Sequence, residues 1–276
     1  MILQFIVWNV SPEIFTFPDW LPLLGDRGIR WYGLLFAASF VVGYFIMLKI
    51  FKREKISEKV LDELSSYMLV ATVVGARLGH CFFYEPAYYL AHPIEIFKVW
   101  EGGLASHGAA VGIILALYFF SKKHNKHILW TLDRVVVVVA LAGFFIRTGN
   151  LMNSEIFGHI TTLPWGFKFV NYHDPALNGD PRHPTQIYEG LLYLASFFFL
   201  YYSYFKLHKG EKLGYIFSMF IILIFGIRFF VEFLKEPQVG FENSMALNMG
   251  QLLSIPFVLA GFVILYLGKK QLIGGK

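Results

Sequence analysis

Long apolar runs separated by short polar stretches dominate the chain. Crossing the hydrocarbon core of a bilayer takes about 20 predominantly apolar residues, and seven runs approach or reach that length. The pattern therefore predicts an all-α polytopic integral membrane protein with seven transmembrane helices, built as a single transmembrane domain over 1–276. The predicted spans, with ends uncertain by about three residues, are 31–50, 66–84, 104–121, 130–150, 186–205, 213–234 and 249–268.

Two further stretches lie outside the predicted spans: an apolar N-terminal segment and one long loop. Residues 1–29 are apolar but contain Pro12, Pro18 and Pro22, and proline breaks a helix interior. We expect them to form an interfacial N-terminal segment. The longest loop is 151–185, and a long loop without secondary structure is often functional.

Lysine and arginine residues indicate the orientation, because they concentrate on the cytoplasmic side of membrane proteins. The loops after spans 1, 3 and 5, together with the C-terminus, hold 14 of them, whereas the opposite side holds 6. We therefore expect the N-terminus outside, the C-terminus in the cytoplasm, and the 151–185 loop to be extracytoplasmic.

Composition narrows the class further. The chain is 56% hydrophobic and 16% charged, against about 25% charged in soluble domains. The positive residues behind the net charge of +5 lie mainly in the loops predicted to be cytoplasmic, so the charge does not indicate nucleic-acid binding. Cys81 is the single cysteine, so the chain can form neither an internal disulfide nor a CxxC metal site, and we expect Cys81 to be a small buried apolar residue.

Polar side chains collect near the outer ends of the predicted spans, although a charge in hydrocarbon costs at least about 2.5–3.5 kcal/mol. Arg147, Asn150 and Glu155 are spaced i, i+3 and i+8, close to one helical face. Arg228 and Glu232 are spaced i, i+4 and can pair. The outer polar residues include Tyr32, Arg77, His80, Ser106, His107, Arg147, Asn150, Asn153, Glu155, His183, Gln186, Glu189, Arg228, Glu232 and Gln251.

Three arginines at one depth predict an anionic ligand, because arginine stays protonated when buried and its planar fork matches phosphate. The anion available there is a phospholipid headgroup. A structural alternative stays open for each residue alone: an Arg228–Glu232 pair or Arg77 holding helices together, a hydrogen-bonded structural His107, or Asn150 and Asn153 linking helices. Because all of these residues lie at the depth of the same leaflet, a shared functional role is favoured over separate structural roles.

The stretch from Arg147 to Gly158 resembles the signature of bacterial prolipoprotein diacylglyceryl transferases, G-R-x-G-N-F-x-N-x-E-x-x-G. The resemblance extends over about residues 30–268. Further matching blocks, in order, are Trp31-Tyr32-Gly33, Ala76-Arg77-Leu78-Gly79, Gly102 to Gly108, His183 to Glu189, Arg228 to Phe233, and Met249 to Pro256.

The chain departs from the family pattern at a few positions. Ile146 replaces the first signature glycine, Leu151 replaces the signature phenylalanine, and Ala109 follows Gly108 where a second glycine is frequent. Ile224 and Phe225 occupy the place where some members carry a tyrosine. These departures affect the expected positioning of the fourth span and leave the arginines, His107 and the Asn/Glu set in place.

The resemblance implies the first step of bacterial lipoprotein maturation. Such an enzyme moves the diacylglyceryl group of phosphatidylglycerol to the lipobox cysteine in the signal peptide of a prolipoprotein, forming a thioether and releasing glycerol phosphate. It also implies a multi-pass protein of the bacterial inner membrane, in contact with membrane lipids, with its active site facing the outer leaflet. It implies no cofactor, metal or nucleic-acid partner. Because the substrate supplies the thiol, Cys81 has no expected catalytic role.

On this interpretation, Arg147 and Arg228 hold the phosphate and stabilise its growing charge. His107 is the candidate base for the thiol, although a field dominated by arginines can favour the thiolate without it. Arg147 also belongs to the expected substrate-binding set, whose other members are Tyr32, Arg77, Asn150, Asn153, Glu155, Gly158, Gln186, Glu232 and Gln251.

Two other classes of protein remain as alternatives. An anion transporter needs a polar path to both faces, and the inner halves of the spans offer little polar lining. An intramembrane serine protease is suggested by Ser106 beside His107, but adjacent helical residues point about 100° apart, and such a dyad normally uses two elements.

Overall fold

The computed structural model describes residues 5–18, 20, 28–99, 102–171, 179–237, 245–270 and 272. Within them the chain is mostly helical, with a helix at each of the seven predicted positions and one further short helix, α3. The α-helices are α1 (Trp31–Arg53), α2 (Glu58–Phe83), α3 (Pro86–Ala91), α4 (Ser106–Lys123), α5 (Ile128–Met152), α6 (Thr185–Phe205), α7 (Tyr215–Val231) and α8 (Met249–Lys269).

Five helical segments are long and apolar enough to cross a membrane: α1, α2, α5, α7 extended to Leu234, and α8. This agrees with a polytopic membrane protein. The other two helices at predicted span positions do not meet the same length and composition: α4 has 18 residues and carries His107, Lys122 and Lys123 at its ends, and α6 is rich in tyrosine. The count of seven spans and the orientation of the termini stay predictions.

Helix α2 begins at Glu58, eight residues before the predicted start of the second span at 66. The prediction followed the apolar run, whereas the helix continues through a charged, amphipathic first part. Leu61 and Leu64 lie on one side of that part and are buried, so packing extends the helix beyond its apolar segment.

The expectation of an all-α chain misses five short strands, which lie in the N-terminal segment and the 151–185 loop. Strand β1 pairs in parallel with β4, β4 pairs antiparallel with β5, and β2 pairs antiparallel with β3. The strands are β1 (Ile6–Trp8), β2 (Glu13–Thr16), β3 (Gly28–Arg30), β4 (Phe167–Phe169) and β5 (Pro181–Arg182).

The 151–185 loop therefore carries secondary structure of its own, contrary to expectation. Strands of two to four residues are too short to show a polar–apolar alternation, which explains why the sequence pattern does not reveal them. The interfacial placement of 1–29 and the outer placement of the loop stay predictions, and 1–4, 19, 21–27 and 172–178 lie outside the described residues.

The chain divides into two compact units, Met1–Gly43 with Val135–Lys276, and Tyr44–Arg134. We call them the first and the second unit; a single domain over 1–276 stays a prediction. In the first unit, α6, α7 and α8 pack in succession, and Phe225 of α7 stacks on Phe257 of α8 with 4.3 Å between ring centroids.

The three-stranded sheet of β1, β4 and β5 packs on a small apolar core within the first unit. Phe157, Phe167 and Phe169 are buried together with Leu151, and Trp8 packs against them. The indole Nε1 of Trp8 donates a hydrogen bond of 3.0 Å to the Leu151 carbonyl. This contact ties the N-terminal strand to the C-terminal end of α5, where the predicted site lies.

In the second unit, α2 crosses α4 at glycines. A Cβ added to Gly79 would lie 2.6 Å from the Cα of Gly108, and one added to Gly75 would lie 2.6 Å from the Gly108 carbonyl oxygen. Only residues without side chains allow two helix backbones to come this close. The crossing fixes α4 against α2 near the first turn of α4, which carries His107.

Candidate functional site

In the first unit, the predicted polar residues gather where α5 ends and α6 begins, together with the end of α7 and the start of α8. Helix α5 carries Arg147 and Asn150 in its last turns. The chain then turns sharply, and the amide of Glu155 donates a hydrogen bond of 3.0 Å to the Asn150 carbonyl. This turn brings the Glu155 side chain back towards the helix that precedes it.

Backbone strain marks this turn. Ser154 has φ 54° and Ile156 has φ 60°, in a region that a β-branched residue rarely adopts and that costs about 1–3 kcal/mol. Two contacts from α6 hold the turn: Thr185 Oγ1 donates to the Ile156 carbonyl at 2.8 Å, and Gln186 Nε2 donates to the Glu155 carbonyl at 2.6 Å.

The side-chain amide of Asn150 joins Arg147 to Glu155. Its Oδ1 accepts a hydrogen bond of 3.1 Å from Arg147 Nη1, and its Nδ2 donates one of 2.8 Å to Glu155 Oε1. Asn153 Nδ2 donates to the same carboxylate oxygen at 3.1 Å. Because a guanidinium only donates and a carboxylate only accepts, the Asn150 amide oxygen must face Arg147 and its nitrogen must face Glu155.

A chain of ion pairs continues from Arg147 into α6 and the segment after α7. Arg147 Nε lies 2.6 Å from Glu189 Oε2, and Lys235 Nζ lies 2.9 Å from Glu189 Oε1. Lys235 Nζ also lies 3.0 Å from Glu232 Oε2. Glu189 is fully buried and Lys235 is 4% exposed, so these charges depend on each other for compensation.

Two residues of this ion-pair series, Glu189 and Lys235, are absent from the set of site residues that the sequence predicts. Glu189 appears among the outer polar residues, three positions after Gln186, and that depth is the signal that identifies it. Lys235 looks like an ordinary loop lysine in the sequence, where it contributes only to the topology count. Its burial between two carboxylates becomes visible only in three dimensions.

Arg228 differs from Arg147 in its contacts. Within the described part of the chain, no hydrogen bond or ion pair engages its guanidinium, and its buried Nε has no partner. The expected i, i+4 pair with Glu232 is therefore wrong. Helix α7 ends at Val231, and Glu232 opens a 3-10 turn in which its carboxylate meets Lys235 instead.

Both arginines belong to the same neighbourhood. Tyr193 of α6 is buried and interacts electrostatically with Arg147, Arg228 and Glu189. Its hydroxyl lies 3.5 Å from Glu189 Oε1 and donates to it. One engaged and one unengaged guanidinium thus share this region, which suits the binding of an additional anion.

Gly158 and Gln251 help to position the backbone around the site. The Gly158 backbone pairs with Lys235, and a Cβ added to Gly158 would collide with the Leu234 carbonyl oxygen. Gln251 closes a capping box with Asn248 at the start of α8. Gln251 Nε2 and Gln186 Oε1 are buried without a hydrogen-bond partner among the described residues, and each such atom calls for an explanation.

Tyr32 of α1 is half-buried against the last turn of α5. A Cβ added to Gly149 would lie 2.7 Å from Cδ2 of the Tyr32 ring. Glycine at this position therefore lets the tyrosine approach the helix that carries Arg147 and Asn150.

A cavity of about 170 Å³ lies between α5 and α6. Arg147, Thr148 and Gln186 supply its polar lining. Its apolar lining comes from Phe144, Leu151, Ile187, Gly190 and Leu191. The surface that these residues expose to the cavity is almost entirely apolar, so the cavity suits an apolar group rather than a charged one.

The second unit holds the remaining two predicted site residues, Arg77 and His107. Arg77 is buried, and its guanidinium donates to the carbonyls of Glu95, Ile96 and Gly102, the last at 2.7 Å, and lies over the Tyr89 ring. It therefore holds the segment that leads into α4.

His107 lies in the first turn of α4 and is exposed. Its ring contacts Phe83 and Tyr84, with 5.6 and 5.7 Å between centroids. Both are ring-to-ring contacts, and neither is a hydrogen bond. Cys81 is fully buried, as expected.

Outside the membrane-spanning segments, His183 has a perturbed pKa. Burial lowers the pKa of the imidazole below its ordinary value, and nearby His159 lowers it further. The folded protein therefore favours neutral His183, and protonation of this group opposes folding as the pH falls below its usual pKa. In the described ranges, no cluster of three or more His, Cys, Asp or Glu is placed to hold a metal.

Comparison with known proteins agrees with the sequence motifs. The family model described as prolipoprotein diacylglyceryl transferase matches residues 19–267. Proteins named phosphatidylglycerol–prolipoprotein diacylglyceryl transferase are similar over nearly the full length: that of Tolumonas auensis is 43% identical, covering 96% of this chain and 98% of its own, and that of Chloroherpeton thalassium is 44% identical, covering 97% and 96%. That of Porphyromonas gingivalis is 48% identical, covering 93% and 92%.

The Asn150 amide generates a stability prediction. In the variant Asn150→Asp, a carboxylate replaces the group that donates to Glu155 at 2.8 Å, so two acids oppose each other. We expect a loss of about 1–3 kcal/mol, measured as a lower midpoint of thermal unfolding in detergent. The matched control is Asn171→Asp, since Asn171 is exposed and donates to the Val10 carbonyl, far from any carboxylate in the described site. Equal midpoints for the two variants would contradict the assigned amide geometry.

Proposed function

We propose a function from one established premise: the chain belongs to the prolipoprotein diacylglyceryl transferase family. It is a transferase that moves the diacylglyceryl group of phosphatidylglycerol to the lipobox cysteine of prolipoproteins. The products are a thioether-linked prolipoprotein and glycerol phosphate, and the reaction is the first step of lipoprotein maturation. The observation that supports this function best is the unengaged Arg228 guanidinium, which shares its neighbourhood with Arg147.

In the reaction, the thiolate sulfur of the lipobox cysteine attacks the glyceryl carbon that carries the phosphate ester. A C–S bond forms, the C–O bond breaks, and its electron pair leaves with the phosphate. The negative charge on the leaving group therefore increases as the bond breaks. Arg228 and Arg147 face this charge, and preorganised cations of this kind lower the barrier most where charge develops.

The two arginines have different roles in this proposal. Glu189 and Asn150 hold Arg147 in one orientation, which suits recognition of the headgroup in the ground state. Arg228 has no such partner within the described residues, so its full charge is available to the leaving phosphate. Glu232 binds Lys235 and contributes to the site through that lysine.

The thiol of the substrate has to lose a proton, and an unperturbed thiol with a pKa of about 8.5 is only partly ionised at neutral pH. We assign this proton to His107, because imidazole is the side chain that most often serves as a general base and this ring is exposed. The alternative is that the arginine field alone favours the thiolate.

The other predicted residues orient the site and contact the headgroup. Asn150, Asn153 and Glu155 fix Arg147 through their hydrogen bonds. Tyr32, Gln186 and Gln251 line the headgroup region, with buried amide atoms of the two glutamines available to it. Gly158 lets the Lys235 segment approach, and Arg77 shapes the segment before α4.

We place the protein in the bacterial inner membrane with seven spans, its N-terminus outside and its C-terminus in the cytoplasm. The 14-to-6 distribution of Lys and Arg supports this orientation. It puts the ends of α5 and α7, and hence the site, in the outer leaflet. A lipobox cysteine reaches that leaflet on a translocating prolipoprotein.

The acceptor atom can be tested with purified protein, phosphatidylglycerol and a lipobox peptide. We expect mass spectrometry to show diacylglyceryl addition to the Cys peptide and none to the same peptide with Ser, because a serine hydroxyl is a far weaker nucleophile at neutral pH. The variant Cys81→Ala should stay active. Equal modification of the Ser peptide, or complete loss of activity in a folded Cys81→Ala variant, would contradict the mechanism.

The orientation can be tested by labelling intact cells with an impermeant thiol reagent. In the Cys81→Ala background, Leu163→Cys should react from outside, whereas Lys123→Cys should react only after the cells are opened. Both positions are exposed, so access to the reagent depends on the side of the membrane. The reversed pattern would place the site in the inner leaflet and exclude the proposed function.

The roles of Arg147 and Arg228 can be tested with variants that remove the charge of the side chain or change only its shape. Arg147→Ala and Arg228→Ala should lower the transfer rate by about 10²–10³-fold, the usual effect of losing a transition-state contact. The Lys variants should be intermediate, because they keep the charge and lose the planar fork. Rates are compared for equal amounts of folded protein. A folded Arg228→Ala variant with wild-type turnover would remove Arg228 from the mechanism.

A further inference from the structure

Lys235 lies where several parts of the first unit meet. It follows the 3-10 turn Glu232–Leu234 at the end of α7, and its backbone pairs with Gly158. Its ammonium lies 2.9 Å from Glu189 Oε1 and 3.0 Å from Glu232 Oε2, and its side chain is 3% exposed. Lysine is almost never buried to this extent unless it is paired.

The pairing makes Glu189 a shared carboxylate. One of its oxygens faces Arg147 at 2.6 Å and the other faces Lys235 at 2.9 Å. Without Lys235, Arg147 would be the only cation among the described residues in contact with Glu189, and a buried pair of opposite charges largely cancels its own field. With Lys235 present, the carboxylate divides its charge between two cations, and part of the Arg147 charge remains for another anion.

We propose that Lys235 is a positioning residue that keeps Arg147 attractive to an anionic phosphate ester. It touches neither the substrate nor the reacting atoms, and it acts through Glu189 and Glu232. This inference rests on the proposed function for the identity of the anion, a lipid phosphodiester whose polar product is glycerol phosphate. The charge sharing itself follows from the contacts alone.

A purely structural role gives a different result. If Lys235 only held the segment after α7 in place, its loss would loosen the whole site and weaken every ligand. If it sets the charge around Arg147, its loss weakens anions selectively. The ligands that separate the two roles are glycerol phosphate, which is anionic, and diacylglycerol, which has no phosphate.

The experiment measures direct binding of each ligand by calorimetry to the full-length protein in detergent. Lys235→Met removes the charge and keeps a similar length, and we expect glycerol phosphate to bind about tenfold more weakly, or about 1.4 kcal/mol, while diacylglycerol binding stays unchanged. Lys235→Arg should bind both ligands as the wild type does.

The control is Lys168→Met, which removes a lysine of the same unit from β4, where its ammonium lies over the Phe5 ring. It should leave binding of both ligands unchanged. Unchanged glycerol phosphate affinity in folded Lys235→Met would overturn the proposal. So would an equal loss for both ligands.

The two proposals can fail separately. If the wild type makes no thioether product from phosphatidylglycerol and a lipobox peptide, the proposed function fails, while the binding titrations still test Lys235. If the wild type makes the product and Lys235→Met binds glycerol phosphate normally, only the role of Lys235 fails.

Discussion

The site depends on one buried carboxylate. Glu189 is fully enclosed, and an ionised carboxylate in such a place is stable only if cations and hydrogen bonds compensate for its lost hydration. Arg147 from α5 and Lys235 from beyond α7 supply the cations. The need to compensate Glu189 therefore joins α5, α6 and the segment after α7, and the three elements cannot separate without exposing an unpaired charge to an apolar environment.

Backbone contacts make this junction possible. The chain at Gly158 passes so close to Leu234 that a side chain would collide with the carbonyl oxygen, and this approach delivers Lys235 to Glu189. At Gly149 the absence of a side chain admits the Tyr32 ring. The two glycines of the signature thus have a geometric role, whereas its arginine, asparagines and glutamate carry the polar chemistry.

The sequence predicts the helices well, because apolar length and loop lysines are local properties. It predicts Arg147, Asn150 and Glu155 as a group for the same reason, since they lie within nine residues of one another. It misses the β1–β4 pairing and the Glu189–Lys235 pair, which join residues distant in the chain. The Arg228–Glu232 prediction fails because the Glu232 carboxylate pairs with Lys235 instead, although the Glu232 amide still donates to the Arg228 carbonyl as in an α-helix.

The contrast between the two arginines explains why a family signature alone gives an incomplete account of the site. Arg147 is the signature residue, yet its guanidinium already contacts Glu189 and Asn150. Its orientation is fixed before a ligand arrives, which reduces the entropy lost on binding. Arg228 lies outside that stretch and is unengaged within the described chain. A site that needs both a fixed anchor and an uncompensated charge obtains them from different helices, since one guanidinium cannot be fully paired and fully available at once.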